Sequence, residues 1–345
     1  MTQIETKPGV DGGKGGNGAG AAGMTDTPRI EITTPETPMV DVMGGAMRHE
    51  IKVLDHGFIA LLDAMPRLVP QGQTGDAAIV QAARVSYGAG TKRVNEDRGL
   101  IRYLLRHRHT TPFEMVEFKF HVSMPIFIAR QWIRHRTANV NEYSGRYSIM
   151  PDTFYRPTLE AVRKQSTGNR QGGEATFVTE AAGNAGKDAS GTTEHGEQAE
   201  GEEGRTAQAF LDYLENAEAN YAEYMSLTER GVSRELARTG LPISLYTQWY
   251  WKCDLHNILR FLSLRMDAHA QLEIREYAQA MHDLIEPIVP IALEAWRDYD
   301  TGAMHLTRLE IEAIQRIQAG GDGKLETPNK REQSEWEHKR AKLGL

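Results

Sequence analysis

Residues 116–122 read Val116-Glu117-Phe118-Lys119-Phe120-His121-Val122, a strict alternation of apolar and polar side chains. Successive side chains of a strand leave opposite faces, so this pattern predicts a half-buried β-strand with Val116, Phe118, Phe120 and Val122 against a core. Just beyond it, Pro125 suits the first turn of a helix, where its fixed φ and missing N–H cost nothing. Ile126, Phe127, Ile128 and Ile133 carry that helix forward. The helix ends at Arg134-His135-Arg136, and a polar run follows: Thr137-Ala138-Asn139-Val140-Asn141-Glu142-Tyr143-Ser144-Gly145-Arg146-Tyr147. Three arginines, a carboxylate, a hydroxyl and amides therefore emerge together where a helix stops.

Outward from this unit, Ile51-Lys52-Val53-Leu54 predicts a strand, and 76–86 and 97–107 predict helices, the second with Leu100, Ile101, Leu104 and Leu105 at helical spacing. Downstream, 207–230 reads as one long amphipathic helix closed by Gly231, and Ser233 can cap a shorter one through Arg238. The aromatic and β-branched run 243–251 predicts a strand or extended piece. Residues 254–266 and 270–296 read as helices, the latter kinked or split by Pro287 and Pro290. Strands and helices mix without a regular βαβ rhythm, which points to an α+β fold.

Three segments fall outside this pattern. Residues 1–45 are rich in Gly, Thr and Pro with few large apolar groups, and are expected to be a disordered tail. Within them, Gly13-Lys14-Gly15-Gly16-Asn17-Gly18 has the spacing of a dinucleotide-binding turn but lacks the preceding strand and following helix that make such a turn work. Residues 165–205 have no apolar periodicity and read as a mobile, low-complexity insertion acting as a spacer. Residues 319–345 read as a charged C-terminal tail with some helix. A single catalytic domain is expected over 46–318.

The chain has 345 residues, 40% of them hydrophobic, enough to bury a core, and a net charge of −7. That balance argues against a general nucleic-acid binder, a class that is usually basic over its domain. No apolar run reaches the ~18 residues of a membrane span, and residues 1–8 lack a basic-then-apolar leader, so a cytoplasmic protein is expected. Cys253 is the only cysteine, which rules out a disulfide within one chain. It sits among apolar neighbours in Trp251-Lys252-Cys253-Asp254-Leu255 and reads as a buried structural thiol.

Arginine suits phosphate because its planar fork donates two hydrogen bonds to one anion and stays charged at any working pH. Clustered arginines alone read equally well as a solvated face, but Glu142 and Ser144 add the acceptor and donor that a nucleobase edge needs beside its phosphate. His107, His109 and His135 do not make a metal site, since the first two would point to different sides of a continuing helix and no zinc-type motif lies near.

The run 134–147 resembles the signature of the flavin-dependent thymidylate synthases: Arg-His-Arg, two variable residues, Ser, variable, Asn-Glu, variable, Ser, variable, Arg-Tyr. Asn139 stands where that family has Ser. Ala83-Arg84-Val85-Ser86, His109-Thr110-Thr111-Pro112-Phe113-Glu114 and Arg130-Gln131-Trp132 also look like family segments. So do Leu241-Pro242, Leu245-Tyr246-Thr247 and Leu264-Arg265-Met266-Asp267-Ala268-His269-Ala270-Gln271. They occur in family order over 50–300.

The resemblance implies a central, mostly antiparallel sheet flanked by helices, and reductive methylation of deoxyuridine monophosphate (dUMP). Methylenetetrahydrofolate would give the carbon, NADPH the electrons, and FAD would serve both stages without a cysteine nucleophile. By position, Gln131, Arg134, Glu142, Ser144, Gly145, Arg146, Arg238 and Arg265 would hold dUMP. FAD would be held by Ser86, Thr111, Arg134, His135, Arg136, Glu142, Asp254, His256, Arg260 and His269, with Asp254 and Arg260 standing where relatives often carry Asn. Arg265, Ser144 and His109 would act in the reaction, and no metal is implied. The implied assembly is a homotetramer with sites shared between subunits. Two other readings remain open at this stage: a catalytically idle nucleotide-binding relative, and a nucleic-acid binder using the arginine run.

Overall fold

The computed structural model describes residues 39–42, 46–67, 73–85, 97–166, 172–178 and 201–345. The first half holds β1 (Met39–Val42), β2 (Ala46–Val53), β3 (Gly57–Met65), α1 (Asp76–Val85), α2 (Asp97–Arg106) and α3 (Thr111–Glu114). Then come β4 (Glu117–Pro125), α4 (Ile126–Trp132), β5 (Asn139–Glu142), β6 (Arg163–Gln165) and β7 (Gly173–Thr176). The second half holds α5 (Glu202–Glu218), α6 (Asn220–Glu229), α7 (Arg234–Ala237), β8 (Tyr246–Asp254), α8 (Leu255–Arg265), α9 (Leu272–Ile285) and α10 (Pro290–Trp296). Two further helices, α11 (Arg308–Gln318) and α12 (Lys330–Leu343), follow.

The alternating run forms β4, the centre of a six-stranded sheet of order β1-β2-β3-β4-β8-β5 whose pairings are all antiparallel. Phe118, Phe120 and Val122 are buried on one face, and β4 sets Phe118 opposite Cys253, Phe120 opposite Trp251 and Val122 opposite Trp249. α4, α8 and α9 bring apolar side chains against this face. Trp132 of α4 stacks on Phe261 of α8 at 4.7 Å and meets Trp249 and Trp251 edge-on at 5.8 and 5.6 Å. Such offset and edge-on pairs add to simple burial of area. The Tyr277 hydroxyl of α9 donates to the Ser123 carbonyl at 2.7 Å, and a Cβ on Gly57 would lie 2.0 Å from that hydroxyl. Glycine at 57 is therefore what lets α9 lie so close to the sheet.

The helix expected over 270–296, kinked or split at Pro287 and Pro290, is split in two, since Pro290 starts α10 and cannot continue α9. Its N-terminus is capped from afar: the buried Asp76 accepts from the amides of Ile291 and Ala292, each at 3.0 Å. The helix expected over 207–230 is likewise broken, at Ala219 between α5 and α6. β5 arises inside the polar run 134–147, which has no strand pattern. Met39–Val42, inside the stretch expected to be a tail, pairs with β2. Near the C-terminus, α12 folds back on α11, with Trp336 buried and its indole N–H donating to the Gly323 carbonyl at 2.7 Å. Among the described residues, no helix is long and apolar enough to cross a membrane.

Candidate active site

β5 pairs with β8 and carries Glu142 opposite Trp249. Its carboxylate accepts from the hydroxyl of the buried Thr247 at 2.9 Å, so one oxygen is anchored. The pairing continues as the Tyr143 amide donates to the Gln248 carbonyl at 2.8 Å. The chain then turns over Ser144, whose carbonyl accepts from the amides of Tyr147 and Ser148 at 3.1 Å each. Three tyrosines fix this turn. Tyr143 donates to the Ile149 carbonyl at 2.6 Å, Tyr221 to the Met150 carbonyl at 2.6 Å, and the Met150 amide donates to the Tyr224 hydroxyl at 3.1 Å. The last two tie the turn to α6, through a small core of Met150, Phe154, Tyr224, Ala237 and Leu245.

That core also positions the turn after α7, from which Arg238 reaches the same place. A cavity of about 500 Å³ results, with Glu142, Ser144, Gly145, Arg146 and Arg238 on its walls. Gly145 is buried between them: a Cβ there would lie 2.7 Å from the Met150 sulfur and 3.0 Å from Cδ of Arg238. Arg146 lies over the Tyr147 ring at 5.3 Å. Neither Arg146 nor Arg238 has a carboxylate partner among the described residues, whereas Arg84 and Arg98 do, at 2.5 and 2.7 Å. The cavity thus offers two guanidiniums without a carboxylate partner among the described residues, an anchored carboxylate and a hydroxyl, the set a nucleoside monophosphate needs.

The other expected residues lie elsewhere. Arg265 does not line this cavity; its Nε donates to His135 Nε2 at 3.0 Å. His135 must then be neutral at that nitrogen. Burial, followed by the positive charges of Arg265 and Arg260, lowers its pKa to about 4. Burial likewise lowers that of Arg265. Arg134, Arg136 and Arg260 are exposed with no carboxylate partner among the described residues. Gln131 donates from its amide to the side-chain oxygen of Gln271. His109 is exposed and stacked on Tyr103 at 6.0 Å, and Thr111 is exposed at the start of α3.

Asp254 caps α8, accepting from the Asn257 amide at 3.0 Å and its side-chain N–H groups at 3.1 and 2.8 Å. Its carboxylate is therefore already engaged. His256 is half-buried in the first turn of the same helix, and His269 is exposed beside Asp267, Nδ1 to Oδ1 2.8 Å. Ser86 lies outside the described residues. The Cys253 thiol is buried, donates to the Thr137 carbonyl at 3.1 Å and has its pKa raised by burial, so it is not a nucleophile in this state. No group of three or more potential metal ligands occurs among the described residues.

A second, larger cavity of about 810 Å³ was not legible in the sequence. The β6–β7 hairpin and α5 line it together with the start of α9, so parts of the expected spacer form its wall. His269 lies on it too. One signal in the sequence was aromatic: Phe210 and Tyr213 sit one turn apart on α5.

Comparison with known proteins places these observations. The family model described as thymidylate synthase complementing protein matches residues 67–291. A flavin-dependent thymidylate synthase of Dictyostelium discoideum is 59% identical over 314 residues, covering 91% of this chain and 94% of its own. One from Thermus thermophilus is 47% identical, covering 77% of this chain and 85% of its own. Among solved structures, the UMP/dUMP methylase PolB of Streptomyces cacaoi with 5-Br UMP is similar at a TM-score of 0.55 and 29% identity. The match spans 73% of this chain and 98% of that one.

Proposed function

Since the chain belongs to the thymidylate synthase complementing family, whose matched relatives are flavin-dependent thymidylate synthases, we propose that it methylates dUMP to dTMP reductively, with FAD as cofactor. The observation that carries this reading is the smaller cavity, where Arg146 and Arg238 stand beside Glu142 and Ser144 without carboxylate partners among the described residues.

Arg146 and Arg238 bind the phosphate. Glu142, held at one oxygen by Thr247, keeps the other free to accept from the pyrimidine N–H, and the Ser144 hydroxyl donates to a ring carbonyl. Arg265 supplies positive charge where the ring becomes electron-rich at C5, an electrostatic role like that of an oxyanion hole. Neutral His135 takes up Nε of Arg265 and leaves the outer N–H groups free to face the substrate. Because Arg265 does not line the cavity of its own chain, it serves the site of a neighbouring subunit in a homotetramer. Gln131 and Arg134 complete the nucleotide site in the same way, and His109 shapes the space around the rings.

The guanidiniums of Arg134, Arg136 and Arg260, without carboxylate partners among the described residues, fit the pyrophosphate of a dinucleotide, and His135, His256, His269, Thr111 and Ser86 complete a flavin site. Asp254 contributes by capping α8 and aligning His256. FAD supplies the redox chemistry that links NADPH to the carbon donated by 5,10-methylenetetrahydrofolate. The reaction needs no thiol, in keeping with the buried Cys253. A cytoplasmic location fits such a reaction.

The test is tritium release from dUMP labelled at C5, with FAD, methylenetetrahydrofolate and NADPH present and each omitted in turn. Release that depends on FAD and NADPH supports the reading. No release from folded, flavin-loaded protein removes it.

A further inference from the structure

The smaller cavity is polar on the walls already described and apolar at one place. Ile126 and Met150 line it too, and neither side chain carries a donor, or an acceptor stronger than a thioether. Both are held where they stand. The Ile126 amide donates to the Leu245 carbonyl at 2.9 Å, and the Met150 amide and carbonyl are taken by the hydroxyls of Tyr224 and Tyr221 at 3.1 and 2.6 Å. The Met150 sulfur lies against Gly145 beside the stem of Arg238, since a Cβ on that glycine would be 2.7 Å from the sulfur and 3.0 Å from Cδ of the arginine.

The sugar of a nucleotide lies between its phosphate and its base. With the phosphate on Arg146 and Arg238 and the base edge on Glu142 and Ser144, the sugar falls on Gly145 and the apolar surface of Ile126 and Met150. Two nearby hydroxyls are already engaged: Thr247 donates to Glu142 at 2.9 Å and Tyr143 to the Ile149 carbonyl at 2.6 Å. The Asn141 side chain leaves β5 on the face opposite to that of Glu142, as successive strand residues do. A hydroxyl on C2′ would therefore exchange water for methyl and thioether groups, whereas a methylene there suits them. The related fold of PolB serves a UMP/dUMP methylase, so the choice of sugar is not made by the fold itself.

We propose that Ile126 and Met150 select 2′-deoxyribose over ribose, by leaving a 2′-hydroxyl without a partner and not by filling its space. This rests on reading the smaller cavity as the dUMP site. An apolar surface rejects an added hydroxyl by about a hundredfold at most, so dUMP should bind about ten- to hundredfold more tightly than UMP.

Calorimetric titration of the flavin-loaded protein with dUMP, UMP and 2′-fluoro-2′-deoxyuridine monophosphate tests it. Fluorine takes up nearly the room of a hydroxyl but needs no hydrogen-bond partner, so the fluoro compound should bind within about threefold of dUMP. Ile126→Thr keeps the branched shape and brings a hydroxyl to this surface. It should tighten UMP by about fivefold or more and change dUMP by less than about twofold. Met150→Gln, of similar length, should act the same way. UMP that binds as tightly as dUMP, or a fluoro compound as weak as UMP, overturns the proposal. So do folded variants that both leave the ratio of the two affinities unchanged. If neither variant folds, the three wild-type affinities decide. No binding of dUMP at all removes the reading of the cavity and this proposal with it, while tight dUMP binding without preference removes only the selection by Ile126 and Met150.

Discussion

Gly145 shows how narrowly the smaller cavity, the proposed nucleotide site, is built. The missing side chain is what allows Met150 and Arg238 to meet the turn, since a Cβ would press on both. Gly145→Ala should raise the dissociation constant for dUMP by about tenfold or more through displacement of Arg238, with the melting temperature little changed. Adding Met150→Ala should restore part of the affinity, and a fully tight G145A variant would disprove the crowding argument. Cys253→Ala should keep turnover while costing on the order of 1 kcal/mol of stability through the lost sulfur packing. Loss of turnover in a folded, flavin-retaining variant would return a thiol to the mechanism. His135 has a pH signature. The unfolded chain protonates it near 6.5 and the folded chain only near 4, so between those values the unfolded state holds more protons. Stability due to the neutral ring is thus full above about pH 6.5 and is lost as pH falls toward 4. Melting curves across that window should converge for wild type and His135→Gln on acidification; a constant gap would mean the ring is not neutral in the fold.

At the scale of elements, α10 depends on a residue 215 positions before its first capped amide, Asp76 to Ile291. Asp76→Ala leaves two helix amides unpaired and should cost about 1–3 kcal/mol, and Asp76→Asn less, read by denaturant titration. An Ala variant as stable as wild type would mean the amides find other partners. Which elements were legible follows from the same kind of detail. β4 announced itself because a strand with one buried face must alternate. β5 did not, since Asn139, Val140, Asn141 and Glu142 are all exposed and it exists because β8 offers it an edge. Glu142, Ser144 and Arg146 could be found in the sequence because they share one short run. Tyr221 and Tyr224, which hold that run from α6, and the Thr247 anchor of Glu142 come from 71 or more positions away and carry no local mark.

For the whole molecule, the decisive question is whether one chain makes one site. Arg146 lines the proposed nucleotide cavity, and Arg265 pairs with His135 apart from it. Two inactive variants, Arg146→Ala and Arg265→Ala, should therefore regain measurable tritium release when mixed after dissociation and reassembled. In such hybrids some sites inherit both intact arginines. Persistent inactivity of well-assembled hybrids would show that Arg265 serves its own chain. The resemblance in sequence pointed to shared sites, but only the fold shows which residues one chain keeps together.

β5 closes one rim of the six-stranded sheet, leaving a row of peptide groups that another chain's strand could extend. That rim is four residues long and bears two asparagines and a glutamate. Short, polar borders of this kind resist the sticking of sheet to sheet that leads to fibrils. The segment that walls the proposed nucleotide cavity thus also guards against aggregation, and a change that made it longer and greasier would threaten solubility before it touched catalysis.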